Sequence, residues 1–288
     1  MPRLTAVDAL KRLLGHLGIR VGKGRTVESA LLSETLHYSP TGAEALPRCI
    51  ASQISKDGGR LFPESAVDSL KVKNGKIESV RIRNSGNGLC KTLSCSHVIS
   101  TIPITGLLKA LRPRVPQGIT ESCEHLQWLP IVVYGLLVKK ERVMNALYTY
   151  YRDRVFHRVG EPRNAGLKVE PHGHTVLIVE MTCKEGDEKW QGTQAMKDSV
   201  IADLEAEGLC GRADVIEINI LRNSHGYPVF SLGYEPHYEK VTGYLEGIDN
   251  LQSVGRQGGF SFPNMHSAMR MGADAAEKIL RPKGGDNE

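Results

Sequence analysis

The stretch Asn250-Leu251-Gln252-Ser253-Val254-Gly255-Arg256-Gln257-Gly258-Gly259-Phe260-Ser261-Phe262-Pro263-Asn264-Met265 reads as a short strand, a glycine-rich loop with one arginine, and the start of a helix that runs to about Leu280. Such an arrangement builds an anion site. Glycines let a backbone approach a ligand closely. The start of a helix presents unpaired N–H groups and the positive end of its dipole. Arg256 adds a forked pair of donors that suits a phosphate.

The helix supports that reading. Asn264 stands at the N-cap position, where its side-chain oxygen is expected to meet an N–H group near Met265, His266 or Ser267. Ala268, Gly272 and Ala276 recur every four residues and make a smooth stripe, able to lie close against a neighbouring backbone or a flat ligand. Gly272 costs about 1 kcal/mol of helix propensity relative to alanine, so a packing role is predicted for it. Pro282 and Gly284-Gly285 end the segment.

Taken alone, a glycine-rich loop with one arginine is more often a connection than a site. The wider pattern adds a resemblance. Gly255-Arg256 followed by Phe260-Ser261-Phe262-Pro263-Asn264-Met265 resembles the C-terminal flavin motif of the FAD-dependent amine oxidase and protoporphyrinogen oxidase-like superfamily. It is also similar to the corresponding motif of UDP-galactopyranose mutase, where an acidic residue often stands in place of Asn264. The resemblance implies that Gly255 and Arg256 meet the diphosphate side of FAD. It also implies that the helix start at Pro263, Asn264 and Met265 lies under the flavin pyrimidine, where the dipole favours the charge of the reduced ring.

Three earlier segments resemble the same superfamily. Tyr38-Ser39-Pro40-Thr41-Gly42, then Ala45-Leu46-Pro47 and a helix to about Lys56 stopped by Gly58-Gly59, matches a segment that lies near the flavin, with Gly42 as the candidate contact. Pro47 has to sit in or near the first turn of that helix. Ala66-Val67-Asp68-Ser69-Leu70 matches the strand whose valine backbone holds the adenine, which makes Val67 a candidate. His97-Val98-Ile99-Ser100-Thr101-Ile102-Pro103 looks like the strand ending in Thr-x-Pro beside FAD, which adds Thr101 and Pro103.

Composition sets the frame. The chain has 288 residues, 40% hydrophobic and 24% charged, ordinary for a globular protein and long enough for two domains. The net charge of +5 is spread out, with no Lys/Arg block, so nucleic acid is not an expected partner. Cys49, Cys90, Cys95, Cys123, Cys183 and Cys210 form no C-x-x-C pair and no zinc spacing, and His172-Gly173-His174 reads as a loop, so no metal site is expected. Reduced cysteines and no signal peptide point to the cytoplasm. The longest apolar run, Trp128 to Val138, is too short to span a bilayer.

The rest reads in order. A helix from Thr5 to about Leu17 is followed by a loop at Gly22-Lys23-Gly24-Arg25, which lacks the strand and third glycine of a dinucleotide fingerprint. Val67–Val72 and Ile77–Ile82 form a hairpin at Asn74-Gly75; Gly86-Asn87-Gly88 is a turn; Lys91–Cys95 and His97–Ser100 add strands. Beyond Leu107 the pattern predicts strands at Gln127–Lys139, Leu147–Tyr151, His174–Cys183 and Val215–Leu221. It also predicts a turn at Phe156–Pro162, helices at Thr193–Gly208 and His237–Leu245, and an extended Tyr227–Phe230.

The expected architecture is α/β with α+β. A Rossmann-like FAD-binding domain is built from residues 1–104 and 247–288, and a mixed-sheet substrate domain at 105–246 is inserted between them. The superfamily pattern also calls for a leading strand, G-x-G-x-x-G, a helix and an acidic residue. The sequence carries none of these, which reads as an FAD domain incomplete at its N-terminus, with a separate polypeptide as candidate source of the first βαβ unit. The functions implied are an FAD-dependent oxidoreductase or a C-terminal fragment of one; a flavin-dependent sugar-nucleotide mutase; or a non-catalytic remnant or partner subunit that does not bind FAD alone. No nucleophile or metal motif is visible, as expected where a cofactor carries the chemistry. Arg158 and Tyr227 are the candidates on the substrate side.

Overall fold

The structure, a computed structural model, describes residues 37–281. The helix expected from Thr5, the Gly22–Arg25 loop and the stop at Pro282 to Gly285 lie outside the described residues.

Helix α1 (Ala45–Lys56) has Pro47 in its first turn, where the missing N–H costs nothing. Strands β1 (Ser65–Lys73) and β2 (Lys76–Asn84) form the expected hairpin. At its tip Asn74 and Gly75 both take positive φ, 52° and 73°, the conformation that matches the twist of the flanking strands. With β3 (Cys90–Ser94) and the two-residue β5 (Leu111–Arg112) they make a mixed sheet in the order β3-β2-β1-β5, with β5 parallel to β1. Strand β4 (Val98–Ser100) pairs instead, in parallel, with β11 (Leu251–Ser253).

The sequence pattern gives no element between Pro103 and Gln127. The structure has two helices there, α2 (Ile104–Ala110) and α3 (Gln117–Glu124). Each follows a proline, Pro103 and Pro116, in extended conformation at the N-cap. The α2 run is apolar nearly all round because its residues Ile104, Thr105, Leu107, Leu108 and Ala110 are all buried, which hides the helical period.

A second sheet runs β10-β6-β9-β8-β7, antiparallel at every pairing. Its strands are β6 (Trp128–Val138), β7 (Tyr148–Tyr150), β8 (Arg158–Gly160), β9 (Thr175–Thr182) and β10 (Val215–Pro228). Two expectations change here. The predicted turn at Phe156–Pro162 contains strand β8, which pairs on both sides. The predicted strand Val215–Leu221 and the extended Tyr227–Phe230 join into one long strand. The polar Asn223-Ser224-His225 between them is a register shift, not an end.

Two hydrophobic clusters result. In one, Val132, Tyr134, Leu136 and Val138 of β6 and Leu177, Val179 and Met181 of β9 pack on Val200 and Leu204 of helix α5 (Gln194–Ala206), which follows the single turn α4 (Glu188–Gln191). In the other, Leu70 and Ile77 from the first hairpin meet Ile104, Leu107 and Leu111. They also meet Val241 and Leu245 of α6 (Glu235–Glu246), and Leu251 and Phe260. Residues from both ends of the described chain therefore share one core. At about 1.5–3 kcal/mol for each fully buried large apolar side chain, that shared core is a principal force holding the ends together.

Candidate functional site

After β11 the chain does not form an open glycine loop. It makes one helical turn, α7 (Gly255–Gly258), and then enters α8 (Met265–Leu280). Gly255 has φ +82°, and an added Cβ there would meet nothing within 4 Å. Gly258 is required for another reason. A Cβ on it would lie 2.8 Å from the Ser100 carbonyl oxygen and 3.4 Å from the Thr101 Cα. The turn thus packs directly on the end of β4, which brings Thr101, and Pro103 at the N-cap of α2, beside the Gly255–Gly258 turn.

Phe260 fixes the turn. It is 2% exposed with φ 44°, a backbone conformation costing about 1–2 kcal/mol for a residue with a side chain. The rings of Trp128, Phe230, Tyr234 and Tyr238 surround it at centroid distances of 5.0–6.2 Å, and aromatic pairs of this kind return about 0.5–1.5 kcal/mol each. Asn264 occupies the N-cap in extended conformation as expected, but its side chain makes no cap hydrogen bond. Asn264 is exposed and Met265 is 53% exposed; in the stripe Gly272 and Ala276 are exposed and Ala268 is half-buried, with nothing within 4 Å of a Cβ on Gly272.

Arg256 reaches back toward the second sheet. Its Nη2 donates to the Gly226 carbonyl at 3.3 Å, and its guanidinium lies 3.9 Å from the Phe262 ring centre and 5.2 Å from that of Tyr227. Its neighbour Gln257 donates to the His225 carbonyl at 3.1 Å. No carboxylate oxygen lies within 4.0 Å of Arg256 among the described residues. Burial lowers its pKa, a sign that the charge is only partly compensated.

Glu180 of β9, 5% exposed, meets the Tyr227 hydroxyl. It accepts hydrogen bonds from the Tyr227 hydroxyl, from Arg158 Nη2, and from His157 Nε2 at 3.1 Å. Burial alone would raise the pKa of Glu180; the Tyr227 hydroxyl, Arg158 and His157 outweigh it and hold the carboxyl below its usual range. Burial and the adjacent carboxylate push the Tyr227 phenol up to about 12, so it stays protonated and donates. The Arg158 guanidinium lies 5.7 and 5.8 Å from the ring centres of Tyr148 and Tyr150. The Nδ1 of His157 is buried without a partner among the described residues.

The structure thus joins Arg158 and Tyr227 through one carboxylate and sets Arg256 against the same tyrosine. Gly42 and Val67 sit elsewhere. Gly42, with φ +97°, lies in a turn whose Pro40 carbonyl accepts from the Lys168 N–H at 2.9 Å, and Val67 is 40% exposed at a bulge in β1. Glu180, His157 and Phe262 are absent from the residues singled out in the sequence. Glu180 had a signal: it is the lone charge in the apolar run Thr175-Val-Leu-Ile-Val-Glu-Met-Thr182, and a carboxylate in such a strand is buried only with partners. Among the described residues no group of three or more His, Cys, Asp or Glu is placed to hold a metal, and no helix is long and apolar enough to cross a membrane.

No known family's sequence profile matches the chain, and no curated protein matches it in sequence. Solved structures do match. Reduced UDP-galactopyranose mutase superposes with a TM-score of 0.66 at 19% identity, over 81% of this chain and 49% of that one. The chain shares its fold with that protein. A protein of Exiguobacterium sp. 255-15 assigned as a protoporphyrinogen oxidase gives 0.58 at 14% identity, over 94% and 57%. Putrescine oxidase bound to putrescine gives 0.58 at 15% identity, over 83% and 53%. The chain spans about half the length of the solved structures it matches.

Proposed function

We propose that this chain forms the part of an FAD-dependent oxidoreductase that closes over the diphosphate and the flavin. The observation that carries the reading is Arg256: a half-buried cation with no carboxylate beside it among the described residues, held at the C-terminal ends of two parallel strands, where open α/β sheets bind their ligands. The donor set fits FAD. The forked guanidinium and the N–H groups at the start of α8, left without a side-chain cap, match a diphosphate and an electron-rich ring. Gly255, Arg256, Thr101, Pro103, Pro263, Asn264 and Met265 are the proposed contacts, with Gly42 and Val67 toward the flavin and adenine ends. The two hydrophobic clusters are read as the cofactor and substrate regions. In that reading the α2–α3 segment and α6 go with the cofactor region, although the composition change puts the border at 105 and 246.

When bound, FAD would accept a hydride from the substrate. The chain's own part is to orient and to exclude water. Arg158, Tyr227, Tyr148 and Tyr150 form the proposed substrate wall, with Glu180 ionised and Tyr227 protonated to hold Arg158 in place. Tight binding is proposed to need the first βαβ unit, whose fingerprint is absent from this sequence, supplied by a separate polypeptide. A second reading, a sugar-nucleotide mutase, is favoured by Arg256 against the Tyr227 ring and Arg158 joined to the same tyrosine through Glu180, two cations near a place where a diphosphate substrate would lie.

The test is flavin titration of the chain together with the complementing polypeptide. Arg256→Ala is expected to weaken FAD binding by about 1.5–3 kcal/mol, with Arg256→Lys recovering part of it because a point charge lacks the fork. Unchanged affinity removes Arg256 from the site. Flavin reduction by substrate supports the oxidoreductase, and redox-neutral isomerisation the mutase. No flavin binding under any of these conditions leaves the non-catalytic remnant.

A further inference from the structure

A cavity of about 560 Å³ opens between α2, α3 and the first residues of β6, and none of the residues assigned to the flavin or the Glu180 cluster lines it. That volume falls in the range of small-molecule sites, about 300–1,000 Å³. Part of its lining is apolar: Leu108, Leu126 and Trp128. Trp128 donates its indole N–H to Thr105 Oγ1 at 3.2 Å and stands edge-on to Phe260, so the ring is fixed from two sides.

The same cavity carries Lys109, Arg112 and Arg114, against Glu124 as the one carboxylate in its lining among the described residues. Among the described residues none of the three cations has a carboxylate oxygen within 4.0 Å. Arg112 is anchored, its Nη1 donating to the carbonyls of Lys109 at 2.7 Å and Leu111 at 2.8 Å, which leaves its other donors unspent. Burial pushes the Cys123 thiol up and the His225 imidazole down, so both are neutral at pH 7 and the lining keeps its excess of positive charge. Three exposed cations with a solvated function would scatter over a surface. Here they converge on an indented wall of leucine and tryptophan.

We propose that this cavity binds an organic anion, its carboxylate or phosphate held by Lys109, Arg112 and Arg114 and its flat apolar body lying against Leu126 and Trp128. The inference does not depend on flavin binding.

The probe is 1-naphthyl phosphate, read by Trp128 fluorescence in the full chain carrying Trp190→Phe, which leaves Trp128 as the reporter. Inorganic phosphate supplies the head alone, 1-naphthoate the carboxylate version, and 1-naphthalenemethanol the neutral body. Saturable quenching is expected with both naphthyl anions, weaker by about tenfold or more for the neutral compound and in Lys109→Gln/Arg114→Gln, since charge-assisted bonds are lost. These cations are exposed, so the variant's melting temperature should not move. Arg256→Ala should leave the affinity unchanged. Equal binding of the neutral compound, an unchanged Kd in the double variant, loss of binding in Arg256→Ala, or absence of saturable quenching would each overturn the proposal.

Discussion

The side chain of Asn250 takes both backbone groups of Ile77. Its Oδ1 accepts the Ile77 N–H at 2.7 Å, and its Nδ2 donates to the Ile77 carbonyl at 2.9 Å and to the Ser96 carbonyl at 3.0 Å. The two residues are 173 positions apart, and Asn250 is 8% exposed. One amide thus ties the start of β2, the entry to β4 and the entry to β11, the three segments that carry Arg256 to its place.

Asn250→Ala should therefore destabilise the chain by about 2–4 kcal/mol, because it strands a buried donor and two carbonyls at once. Asn250→Asp should do no better at neutral pH, since a carboxylate cannot donate to carbonyls. Urea unfolding measures both. A loss below about 0.5 kcal/mol, the size of an ordinary surface change, would show that the clamp is dispensable.

The sequence carried most of the strands and the C-terminal strand-to-helix order, for physical reasons. The Asn74-Gly75 tip, the apolar run of β6 and the stop at Gly58-Gly59 are local, and local chemistry decides them. What it could not carry was long-range. The α2 helix lies in a core that buries most of it, which erases its amphipathic period, and α3 is only eight residues long with one face, Ile119, Ser122 and Cys123, buried. Strand β8 exists because β7 and β9 flank it, with Arg158 facing Glu180 across the ladder. The Asn264 side chain was expected to cap α8 and does not, because an N-cap's position is a backbone property and its bond depends on the rotamer. Arg158, Tyr227 and Arg256 stand far apart in the sequence, and that one carboxylate and one aromatic ring join them is visible only in three dimensions.

Glu180 carries a pH prediction. Its folded pKa is depressed, so its contribution is present above the ordinary carboxylate value of about 4.3 and is lost as pH falls through the lower folded value. Glu180→Gln should cost about 2–3 kcal/mol at pH 7, below the usual cost of breaking a buried pair because Arg158 keeps 31% exposure and some water. The gap between wild type and variant should narrow as the pH drops from 5 toward 3. A gap that stays constant across that range would assign the loss to packing.

Gly226 sits where β10 shifts register and offers its carbonyl to Arg256. A Cβ there would fall 2.7 and 2.8 Å from Ile131 Cγ1 and Cγ2, and 3.0 Å from the Leu129 carbonyl oxygen. The isoleucine side chain can yield in part but the backbone oxygen cannot, so Gly226→Ala should cost about 1–3 kcal/mol by overpacking. Adding Ile131→Ala should restore only part of it, with non-additivity of at least about 0.5 kcal/mol for residues in contact. Thermal melts of the four proteins in the cycle measure this. Strict additivity would mean that the two positions do not meet.

The last expectation concerns two apolar faces that the described chain leaves to solvent. On α1, Leu46, Ile50 and Ile54 recur every four residues and are 41%, 43% and 41% exposed. At the start of α8, Phe262, Met265 and Met269 are 54%, 53% and 48% exposed, on the helix that also exposes Gly272 and Ala276. Exposed apolar surface of this kind drives association. The chain alone should therefore associate as its concentration rises, which sedimentation velocity reads directly. Ile50→Glu and Met269→Glu should each weaken that association. Neither should lower the melting temperature by more than the few degrees expected of a surface change, because neither side chain is buried in a core. If the two variants sediment as the wild type does, these faces are not the contact. If they unfold early, the faces are packed in solution.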